Sequence, residues 1–387
     1  MSNCANPPTS VPLLDVSRDN GPLRDDMLAA FARVLDSGRF LHGAEVRQLE
    51  EKVAQWCEVR HTIGCASGSD ALLLALMALD IEPNDEVIVP SFTFFATASA
   101  VWRLGAKIVF VDIDPATFNV DPQAVEAAIT PRTRAMIPVH LYGQCAALDS
   151  LCAIARRHEI HVIEDAAQAI GAKYQGRSAC AWGDIGCLSF YPTKNLGGCG
   201  DGGMLATQNP KIADRLRLMA AHGMNPRYYH QVVGINSRLD SLQAAALLVK
   251  LEHLRQWNSQ RQQHAATYSE LFCAAGLNNA VGLPVVAPGC EHVWNQYAIR
   301  IPQGRRDRLR EYLSQHGVGT EVYYPLPLHR QECFRNMGYS AGSLPETERA
   351  AAEVLNLPIY PGLRRVEQEL VVQHIGAFFA SRQSVAA

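Results

Sequence analysis

The sequence predicts an α/β protein, with a mostly parallel sheet flanked by helices followed by a smaller α+β region. Three observations carry this. Between about residues 45 and 215, short β-rich runs alternate with amphipathic stretches. After Ala275 the punctuation changes to "GLPVVAPGCEHVWNQYAIRIPQG", and strand-like and helix-like segments then follow in mixed order. At 387 residues, 48% hydrophobic and 19% charged, the chain has the length for two folded domains and the composition of an ordered one.

In chain order, the first 20 or so residues, rich in Pro, Ser and Asn, read as an extended arm. The strand candidates are "HTIGCA", "DEVIVP", "AKIVFVDI", "RAMIPVH", "IHVIED", "IGCLSF" and "GGMLAT". Between them, "SDALLLALMALD", "FFATASAVWRLG", "DPQAVEAAI" and "ALDSLCAIARRHE" place apolar residues at helical spacing behind plausible helix starts. Helical patterning continues from Leu239 to about Ala275. The predicted layout is an arm over 1–20, a large domain over 21–260 and a small C-terminal domain over 261–387. There is no internal repeat.

The net charge of −3 and a pI near 6.5 give no basic excess of the kind that marks nucleic-acid binding. No run reaches the roughly 20 apolar residues of a membrane helix. "MSNCANPPTSVPLLDVSRDN" lacks a charged leader before an apolar run, so no signal peptide is read and a cytoplasmic protein is expected. Eleven cysteines, an odd number without a CxxC pair, suit buried free thiols in a reducing compartment. No metal site is predicted.

"SFYPTKNLGGCGDGG", residues 189–203, sets one lysine beside a cluster of glycines. Gly198, Gly200 and Gly203 match G-x-G-x-x-G, but that fingerprint must follow a strand and open a helix, whereas strand-like "MLATQ" follows here. A P-loop places its lysine after the glycines, and Lys194 precedes them. What remains is a solvated loop lysine or one that forms a Schiff base. The second must be neutral to attack, and only about one free lysine in 2,500 is neutral at pH 7. If the carbonyl belongs to pyridoxal phosphate (PLP), the site also needs an acid for the ring nitrogen, an anion cradle and a flat neighbour.

Each requirement has a candidate, and each candidate has an ordinary structural alternative. Asp165 ends a strand-like run, where ligands sit in such sheets, and would equally serve as a helix cap. Gln168, three residues on, is within reach of the same ring or is a plain surface amide. Gly68, Ser69 and Asp70 open an apolar helix whose free N–H groups form an anion site, although Ser67 or Ser69 is also an ordinary cap. Ser189 offers a further strand-end hydroxyl. Phe94 follows a strand, where an aromatic face stacks on a flat cofactor or joins the core. Each segment alone is weak, and the combination is not.

Together with "SGRFLHGAEVRQLEE", "SGSDALLLAL", "PSFTFFATASAV", "IPVHLYGQ", "EDAAQAIGA", "INSRLDSLQAA" and "VYYPLPLH", taken in order along nearly the whole chain, the lysine segment resembles the DegT/DnrJ/StrS sugar aminotransferases. These belong to the aspartate-aminotransferase-like, fold type I, PLP-dependent enzymes, a three-layer fold. The resemblance implies that Lys194 carries the internal aldimine and moves protons, and that Asp165 pairs with the ring nitrogen. It implies that Phe94 and Gln168 flank the ring and that Ser69, Asp70 and Ser189 hold the phosphate. It further implies a homodimer with shared active sites, in which Asn236 reaches the neighbouring subunit's cofactor phosphate and Arg238 lies near the substrate. Tyr324 and His329 are expected at the sugar-nucleotide site. The implied reaction moves an amino group from L-glutamate to a keto-sugar nucleotide in amino-sugar biosynthesis.

The chain departs from the family pattern at two places. Many relatives read His-Tyr-Pro where this chain has Tyr323, Tyr324 and Pro325, and Asn295 stands where relatives often carry a second histidine. Sugar dehydratases of this fold replace the lysine by histidine, which Lys194 argues against. The "VYYPLPLH" version resembles members acting on 3-keto sugars, with 4-keto sugars as the alternative. A catalytically silent regulatory or sugar-nucleotide-binding protein of the same fold is the competing expectation from another class.

Overall fold

Seven strands, all foreseen as β-rich runs, build the central sheet: β1 (His61–Cys65), β2 (Glu86–Pro90), β3 (Lys107–Val111), β4 (Thr133–Met136), β5 (His161–Asp165), β6 (Ile185–Ser189) and β7 (Gly203–Thr207). This is the architecture of a computed structural model that describes residues 9–381. The strand order is β1-β7-β6-β5-β4-β2-β3. Neighbours pair in parallel from β6 through β3, while β7 runs antiparallel to both of its neighbours. All five residues of β2 are buried, as expected of a central strand covered on both faces.

Side chains alternate across the strands and so feed two layers. Val87 and Val89 of β2 join Leu72, Leu76 and Val101 in one core; Ile88, between them, joins Leu151 and Ile154 in another. Helices Gly68–Ala78, Phe95–Arg103 and Pro210–Ala220 cover the first face. Helices Pro122–Ala127 and Leu148–His158 cover part of the second, and Ala44–Trp56 and Ser241–Leu251 cover the rest. The result is the expected three-layer α/β arrangement.

A second core gathers around the antiparallel pair Tyr297–Arg300 and Val354–Leu357, with helices Arg306–Gln315 and Arg365–Ala380. One unbroken helix, Leu254–Ala274, joins the two regions. Leu254 packs beneath the main sheet, whereas Ala265, Tyr268 and Phe272 belong to the second core. The reading of residues 1–20 as an arm lies partly outside the described residues. Within them, Val11 bridges to Val318, and Val16–Asn20 forms a short helix capped by Asp15. Among the described residues no helix is long and apolar enough to cross a membrane, and no group of three or more His, Cys, Asp or Glu is placed to hold a metal ion.

Candidate active site

Strand register assembles the site. Gly203, the first residue of β7, pairs with Cys65 at the end of β1 and with Ser189 at the end of β6, and Asp165 at the end of β5 pairs with Cys187. Segments 66–70, 165–168, 189–194 and 203 therefore meet at one sheet edge, beyond the carboxyl ends of the parallel strands, where open α/β sheets bind ligands.

The backbone is packed too closely there for side chains. A Cβ on Gly68 would lie 2.7 Å from Cβ of Ser189, and one on Gly203 would lie 2.4 Å from the carbonyl carbon of Ser67. The cap of helix Gly68–Ala78 is Ser67, whose Oγ accepts from the Asp70 amide at 3.1 Å. Among the described residues that leaves the amides of Gly68 and Ser69 uncommitted at the helix N-terminus, with Ser69 exposed and Asp70 half-buried. Such an end attracts an anion through its free N–H groups and dipole. Ser237 ties a third segment in, its Oγ accepting from the Ala66 amide at 3.0 Å.

Asp165 forms the floor. It is 5% exposed; its Oδ2 accepts from Thr97 Oγ1 at 2.8 Å and its Oδ1 from the Ala167 amide at 3.2 Å. Burial raises the Asp165 pKa, and the Thr97 and Ala167 hydrogen bonds and the charge on Lys194 oppose that rise. Lys194 is half-buried, and desolvation of its amine lowers the pKa from 10.5 to about 8 against the attraction of Asp165. Among the described residues the Lys194 amine makes no hydrogen bond, and it feels the charge of Asp165.

Gln168 is held at both ends: Oε1 accepts from the Tyr142 amide at 2.6 Å and Nε2 donates to Tyr324 Oη at 3.3 Å. Phe94 is 58% exposed, with its ring centroid 6.3 Å from that of Tyr324. Tyr324, from the second region, thus contacts both Gln168 and Phe94. The lysine loop is braced from behind. Asn195 Nδ2 donates to Asn258 Oδ1 at 2.8 Å, and Asn295 Nδ2 donates to Asn195 Oδ1 at 2.9 Å. The departure at Asn295 therefore joins an amide chain to the residue beside Lys194. A Cβ on Gly198 or Gly200 would lie within 3.0 Å of the Gln243 amide group, whose Oε1 also accepts from the Cys199 amide at 2.8 Å.

The other three sequence-predicted residues are His329, Asn236 and Arg238. His329 is 1% exposed, its Nδ1 2.7 Å from Ser91 Oγ and its Nε2 3.2 Å from Glu348. With both ring nitrogens engaged, it links Ser91 to Glu348 within the chain. Asn236 is exposed and Arg238 half-buried, and among the described residues neither side chain has a hydrogen-bond or ion-pair partner. The residues passed over in the sequence are Thr97 and Ser237. Thr97 had one available signal, its position three residues after Phe94 and so on the same face of the following helix.

These residues fit pyridoxal phosphate. They offer an amine near neutrality, a buried carboxylate electrostatically coupled to it, a helix N-terminus in a glycine-lined cradle and an exposed aromatic face. Fold and site together define a fold type I, PLP-dependent aminotransferase.

The comparisons specify the family. Residues 22–376 match the model of the DegT/DnrJ/EryC1/StrS aminotransferase family, and the chain belongs to it. The chain is 50% identical over 374 residues to the "pleiotropic regulatory protein" of Geobacillus stearothermophilus, covering 96% of this chain and 99% of that one. It is 46% identical to the dTDP-3-amino-3,4,6-trideoxy-α-D-glucose transaminase of Streptomyces venezuelae, over 97% of each. It is 44% identical to the UDP-N-acetyl-3-dehydro-α-D-glucosamine 3-aminotransferase of Acidithiobacillus ferrooxidans, over 92% of this chain and 94% of that one. Among solved structures, S. venezuelae DesV in complex with a ketimine intermediate superimposes with a TM-score of 0.92 at 45% identity, over 95% of this chain and 98% of that one. NtdA from Bacillus subtilis with bound cofactor PMP gives 0.90 at 34%, over 98% of this chain and 86% of that one. The protein is a PLP-dependent nucleotide-sugar aminotransferase.

Proposed function

We propose that the enzyme transfers the amino group of L-glutamate to the keto carbon of a nucleotide-linked sugar, with 3-keto UDP- and dTDP-sugars as its substrates, in amino-sugar biosynthesis. The observation that carries the reading is the uncommitted, partly desolvated amine of Lys194 beside the buried carboxylate of Asp165. The choice of C-3 is supported by the S. venezuelae and A. ferrooxidans relatives, both named for 3-amino or 3-keto sugars.

In this reading Lys194 holds the cofactor, the amides of Gly68 and Ser69 with Asp70 and Ser189 bind its phosphate, and Phe94 and Gln168 bound its ring. PLP supplies the electron sink against which a C–H bond can be broken. Asp165 keeps a proton on the ring nitrogen. Lys194 Nζ takes the proton from the α-carbon of glutamate and, in the second half reaction, delivers one to the sugar carbon that receives nitrogen. An amine titrating near 8 suits both duties, since about a tenth of it is already neutral at pH 7 and its conjugate acid gives up a proton more readily than an ordinary lysine. Residues 21–260 act as the cofactor-binding domain and 261–387 as the domain that brings Tyr324. The active unit is a homodimer in which Asn236 and Arg238, whose side chains have no partner among the described residues, complete the neighbouring subunit's site.

A catalytically silent regulator is the second reading, favoured by the name of the G. stearothermophilus relative. Mass spectrometry after incubating the protein with glutamate and a panel of 3-keto and 4-keto UDP- and dTDP-sugars separates these. Conversion of a 3-keto sugar to its amine is the expected result. Amination of 4-keto sugars alone would move the site of transfer, and sugar binding without any turnover would support the regulator.

A further inference from the structure

Asp165 does not rely on its own strand for orientation. Its Oδ2 accepts a 2.8 Å hydrogen bond from Thr97, in the first turn of helix Phe95–Arg103, and both residues are buried. Thr97 Oγ1 lies 3.2 Å from Thr93 Oγ1. A threonine hydroxyl carries one proton, so when Thr97 donates to the carboxylate it can only accept from Thr93. The chain Thr93→Thr97→Asp165 then runs in a single direction and ends on an acceptor oxygen of Asp165, an arrangement that favours the ionised carboxylate.

The same turn carries Phe94, and the Thr97 amide donates to the Phe94 carbonyl at 3.3 Å. Residues three apart on a helix share a face, so the aromatic that bounds the ring and the hydroxyl that orients the acid move as one unit. We propose that Thr97 is a positioning residue for catalysis: its hydroxyl holds Asp165 as an oriented carboxylate for the cofactor's ring nitrogen, and Thr93 fixes the direction of that bond. The inference rests on the PLP reading of the site.

Thr97→Val keeps the shape of the side chain and removes the donor; Thr97→Ser keeps the donor. The other titratable groups that sense Asp165 are Lys194, His140, Tyr324 and Cys187, and neither variant alters them. Two readouts on the holoenzyme test the role, the dissociation constant of PLP and the pH midpoint of the visible absorption band. A hydrogen bond to a charged group contributes enough that its loss should raise the dissociation constant about tenfold in Thr97→Val, with Thr97→Ser within about twofold of wild type. The band midpoint should move upward in Thr97→Val. A weaker acid partner lets the ring nitrogen lose positive charge, and the lysine-linked nitrogen then keeps its proton to higher pH. Thr93→Val should give a smaller shift of the same sign.

A merely structural threonine would leave the midpoint unmoved. Wild-type binding and midpoint in Thr97→Val would overturn the proposal, as would a Thr97→Ser variant no better than Thr97→Val. Should the valine variant fail to fold in a thermal melt, Thr97→Ala removes the same hydroxyl and is judged by the same two readouts. A wild-type protein that takes up PLP with no visible band would instead defeat the cofactor reading, and this inference with it.

Discussion

Two lysines, one half-buried and one buried, stand near the glycine loop, and their contrast defines the site. Burial lowers the pKa of both Lys194 and Lys250, and both line one small cavity with Asp19 and Arg261. Lys250, on helix Ser241–Leu251, is 3% exposed and donates to the Gly197 carbonyl, with its amine 5.9 Å from the Trp257 ring centroid. Its amine is committed to bracing the loop. Lys194 has no hydrogen bond to its amine among the described residues and feels the charge of Asp165. A lowered lysine pKa is therefore no signature of catalysis by itself. The signature is an uncommitted amine beside a carboxylate at the ligand edge of the sheet.

The largest test of this contrast is Lys194→Ala. It should lower turnover by about a thousandfold or more and abolish the borohydride-sensitive visible band, as read by steady-state kinetics and absorbance. A band that survives would place the reactive amine elsewhere, with Lys250 the first alternative.

The next effect is in pH. With a pKa near 8 the neutral fraction of Lys194 rises as pH increases, by about tenfold between pH 7 and 9, and then levels off. An unshifted lysine would gain about a hundredfold over the same interval without levelling. The rate of PLP capture by the apoprotein, followed by stopped-flow absorbance, should trace the first curve.

The smallest effect belongs to Lys250→Met, which keeps the stem and removes the amine. Turnover should stay within about threefold of wild type while the melting temperature falls by about 2 °C, because the Gly197 carbonyl loses its partner while a desolvated charge is also removed. A loss of turnover as large as that of Lys194→Ala would erase the distinction between the two lysines.

Much of the frame was legible because its residues act locally. β2 reads as a run of β-branched residues since it is covered on both faces, and helix Gly68–Ala78 reads as apolar throughout because it packs against strands and a neighbouring helix in one core. Gly68, Asp165, Ser189 and Lys194 were legible as candidates for a related reason. Each stands at or just after a strand end, and in a parallel sheet all such ends open on one edge.

The partners of His329, Ser91 and Glu348, lie 238 and 19 residues away, and no local pattern announces a histidine with both nitrogens engaged. Asn295 looked like a missing histidine. Its meaning comes from Asn195, 100 residues earlier, through a side-chain bond that only packing creates.

By itself the sequence determined the strands, the helices and the chemistry-bearing residues at their ends, since periodicity, capping and residue type are properties of a short stretch of chain. Only the tertiary structure decided which groups became partners. It set Thr97 on Asp165, left Lys194 uncommitted and bound Lys250 to Gly197, because hydrogen bonding and desolvation depend on what surrounds a side chain in space. "LLVKLEH" and "YPTKNLG" each contain one lysine; packing alone made one a brace and left the other free to react.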